Sequence, residues 1–323
     1  MMATVAGVIH ALQLDGTGGA SALPPEQITS SSHTESRWLH LDLNELQPEQ
    51  LQNELGLSPT TVDMLCAEDT RPRCVQAQEG VLLNLRGINI NPGAEPDDMV
   101  SLRILCQSHR LISVRKRRIY SVLDVTTQLH AGNGPKHIDE LLASLTKHLT
   151  HRMRDLIDQL EDQTDLAEDQ LFEKGDLSVS ERIYPLRTQL IHFRRYFAPQ
   201  KDAILALISL KPDWLSEDSR FGLRERADAT QRLIEQIDTL KERLSFIKAE
   251  VEGQLAAKSE KRIYLLTIFA GIFVPMGFFT GLLGINVGGI PLADNEWGFT
   301  LVCGLILVTA AIQVAIFYIK RWF

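Results

Sequence analysis

Charge is absent from two long stretches of this 323-residue chain, Ile263–Ile285 and Phe299–Ile319, which are separated by the 13 residues Asn286–Gly298. Neither contains Asp, Glu, His, Lys or Arg. At about 1.5 Å per residue each can cross a hydrocarbon layer of roughly 30 Å, so both read as membrane spans rather than core helices. The same absence excludes an anionic or imidazole ligand set, and a carboxylate relay, at membrane depth. Cysteine is scarce: Cys66, Cys74, Cys106 and Cys303 have no paired spacing, which excludes a disulfide framework and a Cys-x-x-Cys metal knuckle. The first 14 residues lack a basic segment and a long apolar core, so no secretory signal is expected. No catalytic triad, phosphate loop or metallohydrolase motif is present, and no enzymatic activity or resident cofactor is expected.

Charge is plentiful elsewhere. Residues 1–260 carry 29 basic and 39 acidic side chains, a balance that disfavours nucleic acid and attracts cations. Lys258, Lys261 and Arg262 precede the first span, and Lys320 and Arg321 follow the second. The loop between them has no Lys or Arg and carries Asp294 and Glu296. Positive charge stays inside, so both termini are expected in the cytoplasm and the loop outside. Trp297, Tyr318 and Trp322 stand where interfacial anchors belong.

The first third alternates and is rich in branched residues at Trp38–Leu43, Val81–Asn89, Val100–Cys106 and Arg110–Val114, which reads as strands. Gln47–Leu57 and Pro59–Ala67 read as short helices on one face of that sheet, and Gly16–Ser36 as a loop. Near Gly132–Pro135 helices take over. Asp139–Lys174 and Val179–Leu210 read as an antiparallel pair. From about Arg220 one helix runs without a stop signal to Gly284, on the order of 95 Å. Leu233, Ile237, Leu240, Leu244, Ile247 and Val251 make a heptad seam on it, calling for neighbouring helices or copies of itself. The expected organisation is an α/β cytoplasmic domain with strands covered by helices (1–135), a helical hairpin (136–219), a stalk helix (220–262), a first span (263–285), an external loop (286–298), a second span (299–319) and a cytoplasmic tail (320–323).

Two spans cannot enclose a pore, so conduction would need an oligomer with one span per subunit around an axis. Gly271, Gly277, Gly281 and Gly284, with Gly277-x-x-x-Gly281 spacing, let the first span approach another helix closely, and Pro275 can bend it. The bulky second span reads as the outer helix. An ion crossing such a span keeps most of its water. In the cytoplasmic part, His148, His151 and Asp155 fall at i, i+3 and i+7 and form a candidate metal cluster, while the acidic run Asp155–Asp169 reads as a solvated helix face.

The first span ends in Gly284-Ile285-Asn286, followed by Val287-Gly288-Gly289-Ile290-Pro291, and Glu68-Asp69-Thr70-Arg71-Pro72-Arg73 lies upstream. In these elements the chain resembles the CorA superfamily of divalent-cation transporters, whose signature at this place is Gly-Met-Asn. Ile285 departs from it in the manner of the ZntB-type zinc-transporter branch. The resemblance implies a homopentameric funnel in a bacterial inner membrane, proton-coupled uptake of zinc as the transported ion, and a ring of Asn286 at the external mouth. Counted inward on the family pattern, the pore-facing side is Gly281, Gly277, Val274, Ala270, Leu266, Ile263 and Glu260, with Asp294 and Glu296 gathering cations outside. A magnesium or cobalt channel and a membrane-anchored cytoplasmic metal sensor are the alternatives.

Overall fold

Alternating strands of the N-terminal third assemble into one mixed seven-stranded sheet. A computed structural model describes residues 5–29, 35–68, 71–285 and 296–320, and the chain divides into two units, 1–248 and 249–323. The strands are β1 (Val8–Leu14), β2 (Ala20–Ala22), β3 (Arg37–Asp42), β4 (Arg73–Gln76), β5 (Val81–Gly87), β6 (Val100–Cys106) and β7 (Arg110–Arg115), in the order β2-β1-β3-β7-β6-β5-β4. Among the described residues only β3 and β7 pair in parallel, with Leu39 beside Ile112 and Asp42 beside Arg115.

Both faces of the sheet are covered, which is why its strands carry nearly continuous apolar runs. On one face Leu39, Leu41, Leu82, Leu105 and Ile112 pack with Ile28, Leu51, Val62 and Leu65 from α1 (Pro25–Ile28), α2 (Pro48–Asn53) and α3 (Pro59–Cys66). On the other, Trp38, Leu83, Leu85, Leu102 and Ile104 pack with α4 (Tyr120–His130), α5 (Ile138–Phe172), α6 (Ser180–Leu210) and the start of α7 (Glu217–Leu283). One polar cluster is enclosed in this second layer. Trp38 Nε1 donates to Ser113 Oγ at 2.8 Å, His40 Nδ1 lies 2.8 Å from the same oxygen, and the His10 and His40 rings stack at 4.9 Å. Burial pulls the His10 imidazole down to about 4, with Arg115 and His130 adding to the effect, and holds His40 well below its ordinary value.

The expected fold class is met: an α/β domain, a long helix and a C-terminal apolar helix, α8 (Gly298–Ile319). Two local expectations are corrected. Of the expected loop 16–36, residues 30–34 lie outside the described residues, and 16–29 are not simply a loop. The Asp15 carboxylate accepts the Thr17, Gly18 and Gly19 amides at 2.7, 3.0 and 2.9 Å, turning the chain back so that β2 pairs with β1, and α1 follows. Helices also take over earlier than Gly132, because α4 is helical despite its β-branched residues. Val122, Val125 and Leu129 recur at helical spacing and are buried, and that tertiary cover outweighs weak propensity.

Within the first unit the seam of α7 is consumed by the chain itself. Leu233, Ile237, Leu240, Leu244 and Ile247 are buried. Polar ties flank them: Arg194 and Lys201 of α6 reach Asp238 at 2.7 Å and Gln231 at 3.1 Å. Gln236 donates to Glu161 of α5, and Arg243 holds Asp165 at 2.6 Å together with Glu168. The acidic run of α5 is therefore partly a docking face for α7.

Candidate ion pathway

The second unit treats its apolar surface in the opposite way. Over the first uncharged stretch, α7 has one half-covered face: Ile268, Gly271, Ile272, Pro275, Met276, Phe279 and Leu283. The matching face of α8 is Val302, Ile306, Ala310, Gln313 and Phe317. Contact is closest where α7 has no side chain, since a Cβ on Gly271 would stand 2.7 Å from the Phe317 ring. The absence of a β-carbon there is a packing requirement.

Every described residue expected to face a pore lies elsewhere on α7. Glu260, Ile263, Leu266, Ala270, Val274, Gly277 and Gly281 are all exposed, with Ile263, Leu266 and Val274 at 62, 70 and 67%. At 100° per residue their mean direction is about 170° from the face that α8 covers. A Cβ on Gly277 or Gly281 would meet nothing within 4 Å, so among the described residues the Gly277-x-x-x-Gly281 surface is unoccupied. The helix thus has a back, filled by α8, and a front, open along its length.

The two spans offer little chemistry. Thr267, Thr280 and Thr309 each return their hydroxyl hydrogen to a carbonyl one turn back, at 2.9, 3.0 and 2.8 Å. That leaves lone pairs but no free donor on these groups. Just past the C-terminal end of α7 the Gly284 amide donates to the Thr280 carbonyl at 3.0 Å, and a Cβ on Gly284 would lie 2.9 Å from that same oxygen. Glycine at this position is required by a backbone contact. Ile285 and Glu296 are exposed, whereas Asn286 and Asp294 lie outside the described residues.

The candidate metal cluster on α5 is not assembled. His148 turns toward Asp124 of α4, 3.7 Å away, a carboxylate that Arg152 already grips at 2.8–3.0 Å. His151 pairs instead with Asp155, 3.6 Å along the exposed face. Burial lowers the His148 imidazole against the pull of Asp124. The i, i+3 spacing set the two imidazoles side by side on the helix, but α4 draws one into an interface and leaves the other in solvent. Among the described residues no group of three His, Cys, Asp or Glu side chains is placed to hold a metal ion. What sequence reasoning did not supply is the identity of the α8-covered face, whose only signal is the small residue Gly271 opposite a large one in the second span.

Residues 34–321 match the family model described as CorA-like Mg2+ transporter protein. The chain is 38% identical over 322 residues to the divalent cation transporter CmaX of Pseudomonas aeruginosa, covering 98% of this chain and 97% of that one. It is 34% identical over 323 residues to the zinc transport protein ZntB of Yersinia pseudotuberculosis, covering 98 and 96%. Among solved structures, full-length CmaX superposes with a TM-score of 0.86 at 37% identity, covering all of both chains. The CorA magnesium transporter from Methanocaldococcus jannaschii shares the fold, with a TM-score of 0.80 at 22% identity over 98% of this chain and 99% of that one.

Proposed function

The chain belongs to the CorA-like family and is a divalent-cation transporter in a membrane, and from that premise we propose that its ion is zinc, taken up as a largely hydrated cation through a homopentameric pore lined by α7. The observation that carries this reading is the division of α7 into a back covered by α8 and an open front. A front that the described residues leave largely uncovered, and that carries no charge between Ile263 and Gly281, is suited to face four copies of itself around an axis. On this reading α8 is the outer, lipid-facing helix. Both termini are in the cytoplasm of a bacterial inner membrane, and the basic flanks of the two spans support that orientation.

Each residue then has a task. Asp294 and Glu296, repeated around the ring, concentrate cations at the mouth. Asn286, through its amide oxygen, binds first-shell water of the arriving ion without stripping it. Gly281 and Gly277 keep the upper pore wide enough for that water. Val274 and Ala270 line the middle, and Leu266 with Ile263 form an apolar constriction that closes by dewetting. Glu260 receives the ion at the inner end. Inward movement of a doubly charged ion gains about 4.6 kcal/mol from 100 mV, inside negative. A proton gradient adds to this only through groups at the pore ends, because neither span holds a titrating carboxylate or imidazole.

The test is zinc flux into liposomes containing the purified chain, with and without a proton gradient, beside magnesium. Zinc flux that rises with the gradient and is lost in Asn286→Ala is the expected outcome. Gradient-independent magnesium flux would instead favour a magnesium channel, a second reading motivated by the description of the matching family model. No flux of any divalent ion would overturn the transport reading.

A further inference from the structure

Gln313 is the single carboxamide in either span. It lies on the half-covered face of α8, and its Oε1 is buried without a hydrogen-bond partner. A primary amide at membrane depth has no water to turn to, so an unpaired polar atom there is costly. The other half of the account is on α7. Pro275 sits inside the helix and has no N–H, so the Gly271 carbonyl loses its usual i+4 donor.

The two defects share one level of the helix pair. The connection between the spans is too short and too polar to recross the bilayer, so α8 runs antiparallel to the membrane part of α7. Phe317 packs at Gly271. Four residues back from Phe317 is Gln313, and four residues on from Gly271 is Pro275, so one turn of each helix brings them abreast. Amide oxygen and nitrogen have the same shape, and rotating the group by half a turn puts an N–H where the unpaired Oε1 lies.

We propose that Gln313 is a positioning residue for the pore helix: its amide supplies the donor that Pro275 withholds from the Gly271 carbonyl, and so steadies α7 at that turn. Gln313 faces the back of α7, away from the ion, and acts on conduction only through the helix it braces. This goes beyond the choice of zinc and depends on the transport reading only for its flux readout.

The experiment is a double-mutant cycle on the full-length protein: unchanged, Gln313→Met, Pro275→Ala and the pair. Methionine keeps the length of the side chain and removes the donor, while alanine returns the backbone N–H. In liposomes with zinc and magnesium, Gln313→Met is expected to lower maximal flux about threefold to tenfold, the span of interhelical hydrogen bonds in membranes, with half-saturation unchanged. With Pro275→Ala present, the same change has no further effect. Thermal unfolding in detergent follows the same pattern and is readable even if no ion crosses, so absent flux in the unchanged protein would count against transport and leave this test standing. An equal loss from Gln313→Met in both backgrounds, no loss in either, or a shift of half-saturation in place of maximal flux would each overturn the proposal.

Discussion

One helix belongs to two solvents. Between Leu233 and Ile247, α7 buries its apolar seam within its own chain, with polar ties to α5 and α6 beside it. Between Ile263 and Gly281 it leaves an equally apolar face bare. The contrast extends to the two units as wholes: Trp38, Phe193 and Phe197 are fully buried in the first, whereas Phe299 and Ile319 are 81 and 79% exposed in the second. Apolar surface in the first unit is satisfied by one chain. In the second it is left bare for a membrane and, on the proposed reading, for further copies, and the difference separates what folds the chain from what would build a conduit.

The largest expected effect tests the satisfied side. Leu244→Ala removes a fully buried side chain from the seam and should cost about 2–5 kcal/mol in the stability of the full-length protein, read by thermal unfolding in detergent. A loss as small as that of a surface substitution would mean that the seam is not packed within the subunit. Acid should act on the same unit. His10 and His40 are held neutral, so the unfolded chain binds more protons below its ordinary value of 6.5. Their contribution is complete above that value and is lost as pH falls from 6.5 toward about 4, with His10 alone accounting for about 3 kcal/mol. Thermal stability measured between pH 7.5 and 5 should fall on this account, and His10→Phe with His40→Phe should flatten the profile.

Smaller effects sharpen the division inside the second unit. Gly271→Leu forces a side chain into the Phe317 ring and should cost about 1–3 kcal/mol, with partial recovery in Phe317→Ala. Recovery that fails to appear would move α8 off this face. Leu266→Ala is the least: about 0.5 kcal/mol or below for the subunit, because its side chain touches little, yet with a measurable change in flux. A large stability loss there would mean that this face is a folding surface.

Most central strands and the long helices were legible because their signals are long and redundant: β6 has the bounds that its apolar run suggests, and α7 carries an unbroken 3.5-residue spacing from Leu233 to Val251. β1 and β4 were not, because His10 and Gln13 interrupt the first and the second is four edge residues, two exposed and two half-buried, with no run to read. α4 was not, because its helicity depends on cover from other elements. The heptad seam showed that α7 must pack but was silent on whether its partner is another helix of the same chain or a copy. In the candidate pathway, counting from the Gly-Ile-Asn motif marks one face of α7. That α8 occupies the opposite one depends on a single small-to-large pair across two segments. His148 and His151 misled because spacing along one helix says nothing of the neighbour that separates them.

The open front of α7 also bears on how such a protein can change over generations. Substitutions at Gly271 are judged by folding, because Phe317 is already there. Those at Ala270, Val274 or Leu266 fall on the exposed face among the described residues and largely escape that filter. A lineage can therefore vary the proposed lining of the conduit, and with it the ion preferred, while inheriting an unchanged subunit.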